Sequence, residues 1–187
     1  GHVLAAPADG WTVTGPDGAR VLSADGDVLG EPAPPCDLVL IDLLDRPGRL
    51  GDLRRRGVAH ERTLVVAVGA DHRVSGEAEL ARRLAMWGVL AVPDGTVLEV
   101  RPGEVRGRAP GGRAPLAPPA ADPPPRRTLL LGGSGSGKSA EAELRLAALP
   151  EVVYVATGPS GEGDPEWAER VRAHRERRPA HWRTVET

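Results

Sequence analysis

Phenylalanine is absent from this 187-residue chain, and cysteine, methionine, tyrosine and lysine each occur once. A single cysteine, Cys36, excludes a disulfide framework and a multi-cysteine zinc site, and it fits a reducing, cytoplasmic setting. No apolar run approaches the roughly 20 residues that span a bilayer, and no basic-then-apolar leader opens the chain. The net charge of −2 gives no electrostatic case for binding nucleic acid. The chain opens Gly1-His2 without a methionine and stops at Thr187 in mid-motif, so it reads as a piece of a longer protein.

What is present is arginine, alanine, glycine and proline. Of 24 basic residues only Lys138 is lysine. Under such a bias a lysine persists where a compact ammonium is needed and a planar guanidinium does not fit. Hydrophobic residues make up 40% of the chain, enough for a packed core.

Residues 101–126 carry seven prolines between Pro110 and Pro125 and no apolar period. They read as a semi-rigid, partly polyproline II linker between a front domain, 1–100, and a rear domain, 127–187. In the front, Trp11–Thr14 and Arg20–Ser23 read as a hairpin around Gly15-Pro16-Asp17-Gly18. Asp37–Ile41 and Thr63–Val68 read as buried strands, and Pro47–Arg56 and Glu77–Trp87 as helices. Val89–Val92 and Thr96–Val100 read as final strands around Pro93-Asp94-Gly95. In the rear, Thr128–Leu131 reads as a buried strand, Ser139 to about Leu149 as a helix, and Val152–Ala156 as the next strand. A further helix is expected from Asp164 to about Arg177. Strands alternating with helices place the whole chain in the α/β class.

Gly132-Gly133-Ser134-Gly135-Ser136-Gly137-Lys138-Ser139 matches G-x-x-x-x-G-K-[ST] between an expected strand and an expected helix. A flexible Gly/Ser linker can mimic the pattern, but it needs neither the chain's one lysine nor that setting. The glycines let successive N–H groups converge on phosphate oxygens, and the helix dipole adds partial positive charge. Lys138 suits the β- and γ-phosphates, and the Ser139 hydroxyl suits Mg²⁺. ATP or GTP with Mg²⁺ follows as the ligand, though the loop names no reaction.

On the expected last helix Trp167, Val171 and His174 fall at i, i+4 and i+7, with Arg170, Arg172, Arg175, Arg177 and Arg178 around them. Both a solvated arginine-rich face and an anion site with a nucleophilic histidine fit that pattern.

GGSGSGKSAEAE (132–143), VVYVATG (152–158), EWAERVRAH (166–174) and RPAHWRTVE (178–186) resemble, in order and spacing, the N-terminal third of one family. It is the bifunctional adenosylcobinamide kinase/adenosylcobinamide-phosphate guanylyltransferase family of cobalamin biosynthesis. The resemblance implies a P-loop, RecA-like domain of which this chain holds the first βαβ unit. It implies phosphoryl transfer from ATP or GTP to a hydroxyl of adenosylcobinamide. GMP then passes from GTP to adenosylcobinamide phosphate through a guanylyl–histidine intermediate. His174 stands at the matching position, and His181, in the RPAHW stretch, is its rival. Trp182, Thr184 and Glu186 match the motif's end. Gly135 departs from the family, which often carries arginine there. A homo-oligomer is implied for the full-length protein, and weak or no turnover for this piece. Without the family, another small-molecule P-loop kinase fits the loop.

The front segments GARVLSAD (18–25) and DLVLID (37–42), with Asp71-His72 and Pro93-Asp94-Gly95, resemble the second half of a metallo-β-lactamase-like domain. That likeness makes Asp25 and His72 candidate metal ligands. The early His-x-His-x-Asp-His cluster is missing, so a two-metal site lacks most of its ligands. A metallohydrolase-like domain with a non-catalytic nucleotide-binding tail is the corresponding alternative.

Overall fold

The structure is a computed structural model that describes residues 1–5, 10–24, 34–44, 46–69, 74–109, 112–115, 127–158 and 165–187. Asp25, Asp71 and His72 lie outside the described residues, as does Asp164.

Three short strands open the chain: β1 (Val3–Ala5), β2 (Trp11–Thr14) and β3 (Arg20–Ala24). They pair antiparallel in sequence order, and the expected hairpin joins β2 to β3 with Thr14 opposite Arg20. Asp17 makes the turn: its carboxylate accepts the Ala19 N–H at 3.2 Å while the Gly15 N–H donates to the Ala19 carbonyl. β3 then pairs parallel with β4 (Leu38–Ile41), and β4 with β5 (Leu64–Ala67), giving one mixed five-stranded sheet. Helix α1 (Gly48–Arg55) is the crossover between β4 and β5, and α2 (Glu77–Trp87) follows β5. Of the expected strand at 89–92 only a parallel bridge from Leu90 to Val66 forms.

Side chains alternate across a strand, and this sheet uses both faces. Val39, Ile41 and Val65 face the helices, where Leu50 and Leu53 of α1 and Leu84 and Trp87 of α2 cover them. Fully burying side chains of this size stabilises a fold by about 1.5–3 kcal/mol each. Leu38, Leu64 and Val66 face the other way and meet Leu98, Val100 and Val105. Those three belong to a second, antiparallel sheet of β6 (Val97–Arg101), β7 (Glu104–Ala109) and β8 (Gly112–Pro115).

The second sheet corrects the linker expected at 101–126. Residues 104–109 and 112–115 form two strands, and Pro102-Gly103 is the turn that enters them. Between Glu104 and Arg108 the only large apolar residue is Val105, too sparse a signal to read as a strand. Its burial against the first sheet, and the Gly103 N–H donating to Asp37 at 2.7 Å, hold the hairpin in place. Residues 116–126 lie outside the described residues.

The rear segment contains α3 (Lys138–Leu146), β9 (Val153–Ala156), α4 (Pro165–Arg177) and β10 (Arg183–Glu186). β9 and β10 pair parallel with α4 as their crossover. The βαβ unit therefore lies one step later than expected. Thr128–Leu131 is not a strand, and Leu129 and Leu131 are 80% and 83% exposed. A buried strand needs a ladder partner and cover on its faces. Among the described residues β9 pairs only with β10, and nothing pairs with 128–131.

Front and rear share a core. Ala148 joins the cluster formed by α1 and α2, and Leu144 packs against it. The Trp87 indole N–H donates to the Leu144 carbonyl at 3.0 Å. Arg54 donates to the Trp87 and Ala148 carbonyls at 2.8 and 2.9 Å, tying the ends of α2 and α3 together. Burial lowers the pKa of its guanidinium, and the two carbonyls offset that cost. At Gly51 the approach is so close that a Cβ would lie 2.6 Å from the Ala147 and Leu149 carbonyl oxygens.

Candidate functional site

The loop before α3 is shaped by its glycines. Gly135 and Gly137 have φ of +71° and +82°, a region side chains disfavour. Gly137 is the N-cap of α3 and supplies no side-chain cap. The first N–H groups of α3 are thus free of side-chain acceptors and lie where the dipole favours an anion. Lys138 turns its ammonium back onto the loop and donates to the Gly133 carbonyl at 2.9 Å.

β9, α4 and β10 complete the site. Ser134, Gly135, Lys138 and Ser139 line one cavity of about 750 Å³, within the range of small-molecule sites. Trp167, Val171 and His174 of α4 line the same cavity, as do Tyr154, Arg178 and Glu186. The i, i+4, i+7 face read from the sequence is the face turned toward the phosphate loop. Gly132, Gly133, Ser136 and Gly137 are the loop's frame and do not line the cavity in the same way.

The arginines around His174 are mostly engaged. Arg172 pairs with Glu169 and Glu176, and Arg175 with Glu186. Arg178 stacks on the Tyr154 ring, 3.5 Å from its centroid, and donates to the Thr184 hydroxyl at 3.3 Å. Its Nε is buried without a hydrogen-bond partner among the described residues. The expected field of free guanidiniums is therefore narrower than the sequence suggests, and of these arginines Arg175 and Arg178 line the cavity.

Glu143 is the residue that sequence reasoning missed. It is 8% exposed, on α3 five residues after Lys138. One carboxylate oxygen lies 3.3 Å from His174 Nδ1, and the other accepts from Arg177 Nε at 3.1 Å. An Arg177 NH2 also lies 2.9 Å from His174 Nδ1. A signal was available: Ala140, Glu143, Leu144 and Ala147 fall at i, i+3, i+4 and i+7, which puts a carboxylate on an apolar stripe.

His181 lies elsewhere. Its Nε2 is 3.3 Å from the Leu149 carbonyl, in a second groove between α1 and the rear segment that is away from the phosphate loop. Trp182 is buried, and Thr184 and Glu186 sit on β10. Among the described residues no group of three or more His, Cys, Asp or Glu is placed to hold a metal ion. Nor is any described helix long and apolar enough to cross a membrane.

Residues 128–187 match the family model described as cobinamide kinase / cobinamide phosphate guanyltransferase. The bifunctional adenosylcobalamin biosynthesis protein CobP of Pseudomonas aeruginosa is 55% identical over 62 residues, 32% of this chain and 34% of that protein. The bifunctional adenosylcobalamin biosynthesis proteins CobU of Salmonella typhimurium and Escherichia coli are each 48% identical over 58 residues, 31% of this chain and 31% of each relative. The chain spans about a third of the length of these curated relatives. No solved structure matches it. Residues 128–187 are thus similar to the first third of the cobinamide kinase / cobinamide phosphate guanyltransferase proteins.

Proposed function

We propose that the rear segment carries the nucleotide site of an adenosylcobinamide kinase / adenosylcobinamide-phosphate guanylyltransferase. In this reading the protein phosphorylates adenosylcobinamide with ATP or GTP and then transfers GMP from GTP to the resulting phosphate. The single observation that carries the reading is the shared cavity. It is lined by Ser134, Gly135, Lys138 and Ser139 of the G-x-x-x-x-G-K-S loop and by His174, which supports the two parts that a kinase and a histidine-linked nucleotidyl transfer need.

Lys138 and the first amides of α3 hold the triphosphate, and Gly135 lets the backbone approach it. Ser139 offers a hard hydroxyl oxygen at the cavity wall, the donor type Mg²⁺ takes alongside phosphate oxygens. Mg²⁺, when bound, neutralises phosphate charge there. Arg178, with an unpartnered Nε, adds a fixed cation. His174 attacks the α-phosphorus of GTP. The bond to the β-phosphate oxygen breaks, and pyrophosphate leaves with the electron pair. The phosphate of adenosylcobinamide phosphate then displaces the imidazole. His181, in its separate groove, takes no part. A homo-oligomeric full-length protein in the cytoplasm belongs to the same proposal.

The front segment, in this reading, is part of a metallo-β-lactamase-like domain that serves as a scaffold. Its α1 and α2 seat α3 through Trp87 and Arg54.

Intact-mass analysis after incubation with Mg-GTP tests the reading. The expected result is one added GMP, acid-labile, present in His181→Ala and lost in His174→Ala. An adduct that persists in His174→Ala, or its absence with saturating nucleotide bound, contradicts it.

A further inference from the structure

Glu143 and Arg177 make opposite demands on the same atom of His174. An ionised carboxylate only accepts hydrogen bonds, so its 3.3 Å contact needs a proton on Nδ1. A guanidinium only donates, so the 2.9 Å approach of Arg177 needs a lone pair on Nδ1 and moves the ring proton to Nε2. The two tautomers differ in what they can do. With Nδ1 protonated, Nε2 keeps its lone pair and can attack phosphorus. With Nε2 protonated, the only lone pair faces Arg177.

We propose that Glu143 is the positioning residue for His174: its buried carboxylate takes the Nδ1–H bond, fixes the ring, and leaves Nε2 as the atom that receives GMP. The inference rests on the guanylyl–histidine reading above. Three observations carry it. Glu143 is 8% exposed, so its carboxylate has little competition from water. Arg177 already has a second partner in Glu143, through Nε at 3.1 Å, whereas Glu143 is the acceptor within reach of Nδ1. Finally, α3 begins at Lys138, so one short helix holds both the phosphate loop's lysine and the group that orients the nucleophile.

The steps balance. Nε2 forms a bond to the α-phosphorus as the bond to the pyrophosphate oxygen breaks. The Nδ1 proton stays on the ring, and the Glu143 carboxylate stabilises the positive charge that the ring acquires. In the second step the phosphate oxygen of the acceptor bonds to phosphorus, the P–N bond breaks, and the neutral imidazole leaves with Nδ1 still protonated.

The test is long-range ¹H–¹⁵N correlation on the whole chain with ¹⁵N-labelled histidine, His174 being assigned by its loss in His174→Gln. The wild type is expected to show His174 protonated at Nδ1 and bare at Nε2. Glu143→Gln offers an amide donor to Nδ1 and is expected to move the proton to Nε2. Adduct formation with Mg-GTP should then slow at least tenfold, toward the roughly 10⁴-fold loss seen when a catalytic histidine is held in the wrong tautomer. A wild-type ring protonated at Nε2, or a Glu143→Gln variant with unchanged tautomer and unchanged rate, overturns the proposal. Should Glu143→Gln fail to fold, the wild-type adduct decides through its ³¹P–¹H couplings: GMP on Nε2 supports the proposal and GMP on Nδ1 overturns it. The tautomer is read without GTP. Thus a correct tautomer with no adduct sinks the guanylyl reading and leaves Glu143 only as the group that orients the ring, whereas an adduct with an indifferent tautomer sinks this inference alone.

Discussion

The front and rear segments solve the problem of covering a sheet in different ways. In the front, helices close one face and a second sheet closes the other, so Val39, Ile41, Leu64 and Val66 are all buried. In the rear, β9 and β10 form a two-stranded ladder whose Val153 and Val155 stay half exposed. A pair of strands does not stand alone in water. The rear obtains its footing from the front instead, by sinking Ala148 and Leu144 against Trp87, Leu53 and Val58. Stability is concentrated in one segment and the candidate chemistry in the other, with α3 belonging to both.

If that contrast is right, the largest effect on stability comes from the shared core. Trp87→Ala removes a nearly fully buried side chain and the bond to Leu144, and is expected to cost about 3–5 kcal/mol. Hydrogen exchange should show amides of α3 losing protection along with those of β4 and β5. Protection lost in the front alone would break the link between the two.

A smaller effect is expected from Arg54→Ala, which leaves two carbonyls at helix ends without their donor. The cost should be about 1–3 kcal/mol in urea titration. A change indistinguishable from zero would mean that Arg54 does not tie α3 to the front.

The smallest perturbation probes how closed the front is. Burial pushes the Cys36 thiol up to about 11, so it stays protonated at pH 8 and becomes a thiolate only as the pH approaches that value. Iodoacetamide at pH 8 should leave native Cys36 unlabelled and modify it in urea. Fast labelling of the native chain would show that this core opens readily.

Much of this was legible in the sequence, for identifiable reasons. The runs DLVLI and TLVVAV are continuous apolar segments that only a doubly covered strand can bury. Leu80, Leu84 and Trp87 repeat at helical spacing. The candidate phosphate loop is marked by glycine, lysine and serine at fixed offsets, and His174 is a candidate by its place on the Trp167–Val171 face, which lines the same cavity. What stayed hidden depended on partners distant in the chain. The strands after Arg101 are held by one valine and by Asp37, 66 residues away from Gly103. The TLLL run has strand composition but no ladder partner among the described residues. Glu143 looked like one more charge in an alanine-rich helix until α4 brought His174 and Arg177 against it.

The most direct test of the central claim, that the phosphate loop and the His174 face form one nucleotide site on a shared core, is thermal denaturation with and without Mg-GTP. At a ligand concentration 100 times Kd, the native state gains about 2.7 kcal/mol. A single transition is expected, with a nucleotide-dependent rise in the wild type that persists in His181→Ala and is lost in Lys138→Ala. No shift in the wild type, or an equal shift in Lys138→Ala, would contradict it.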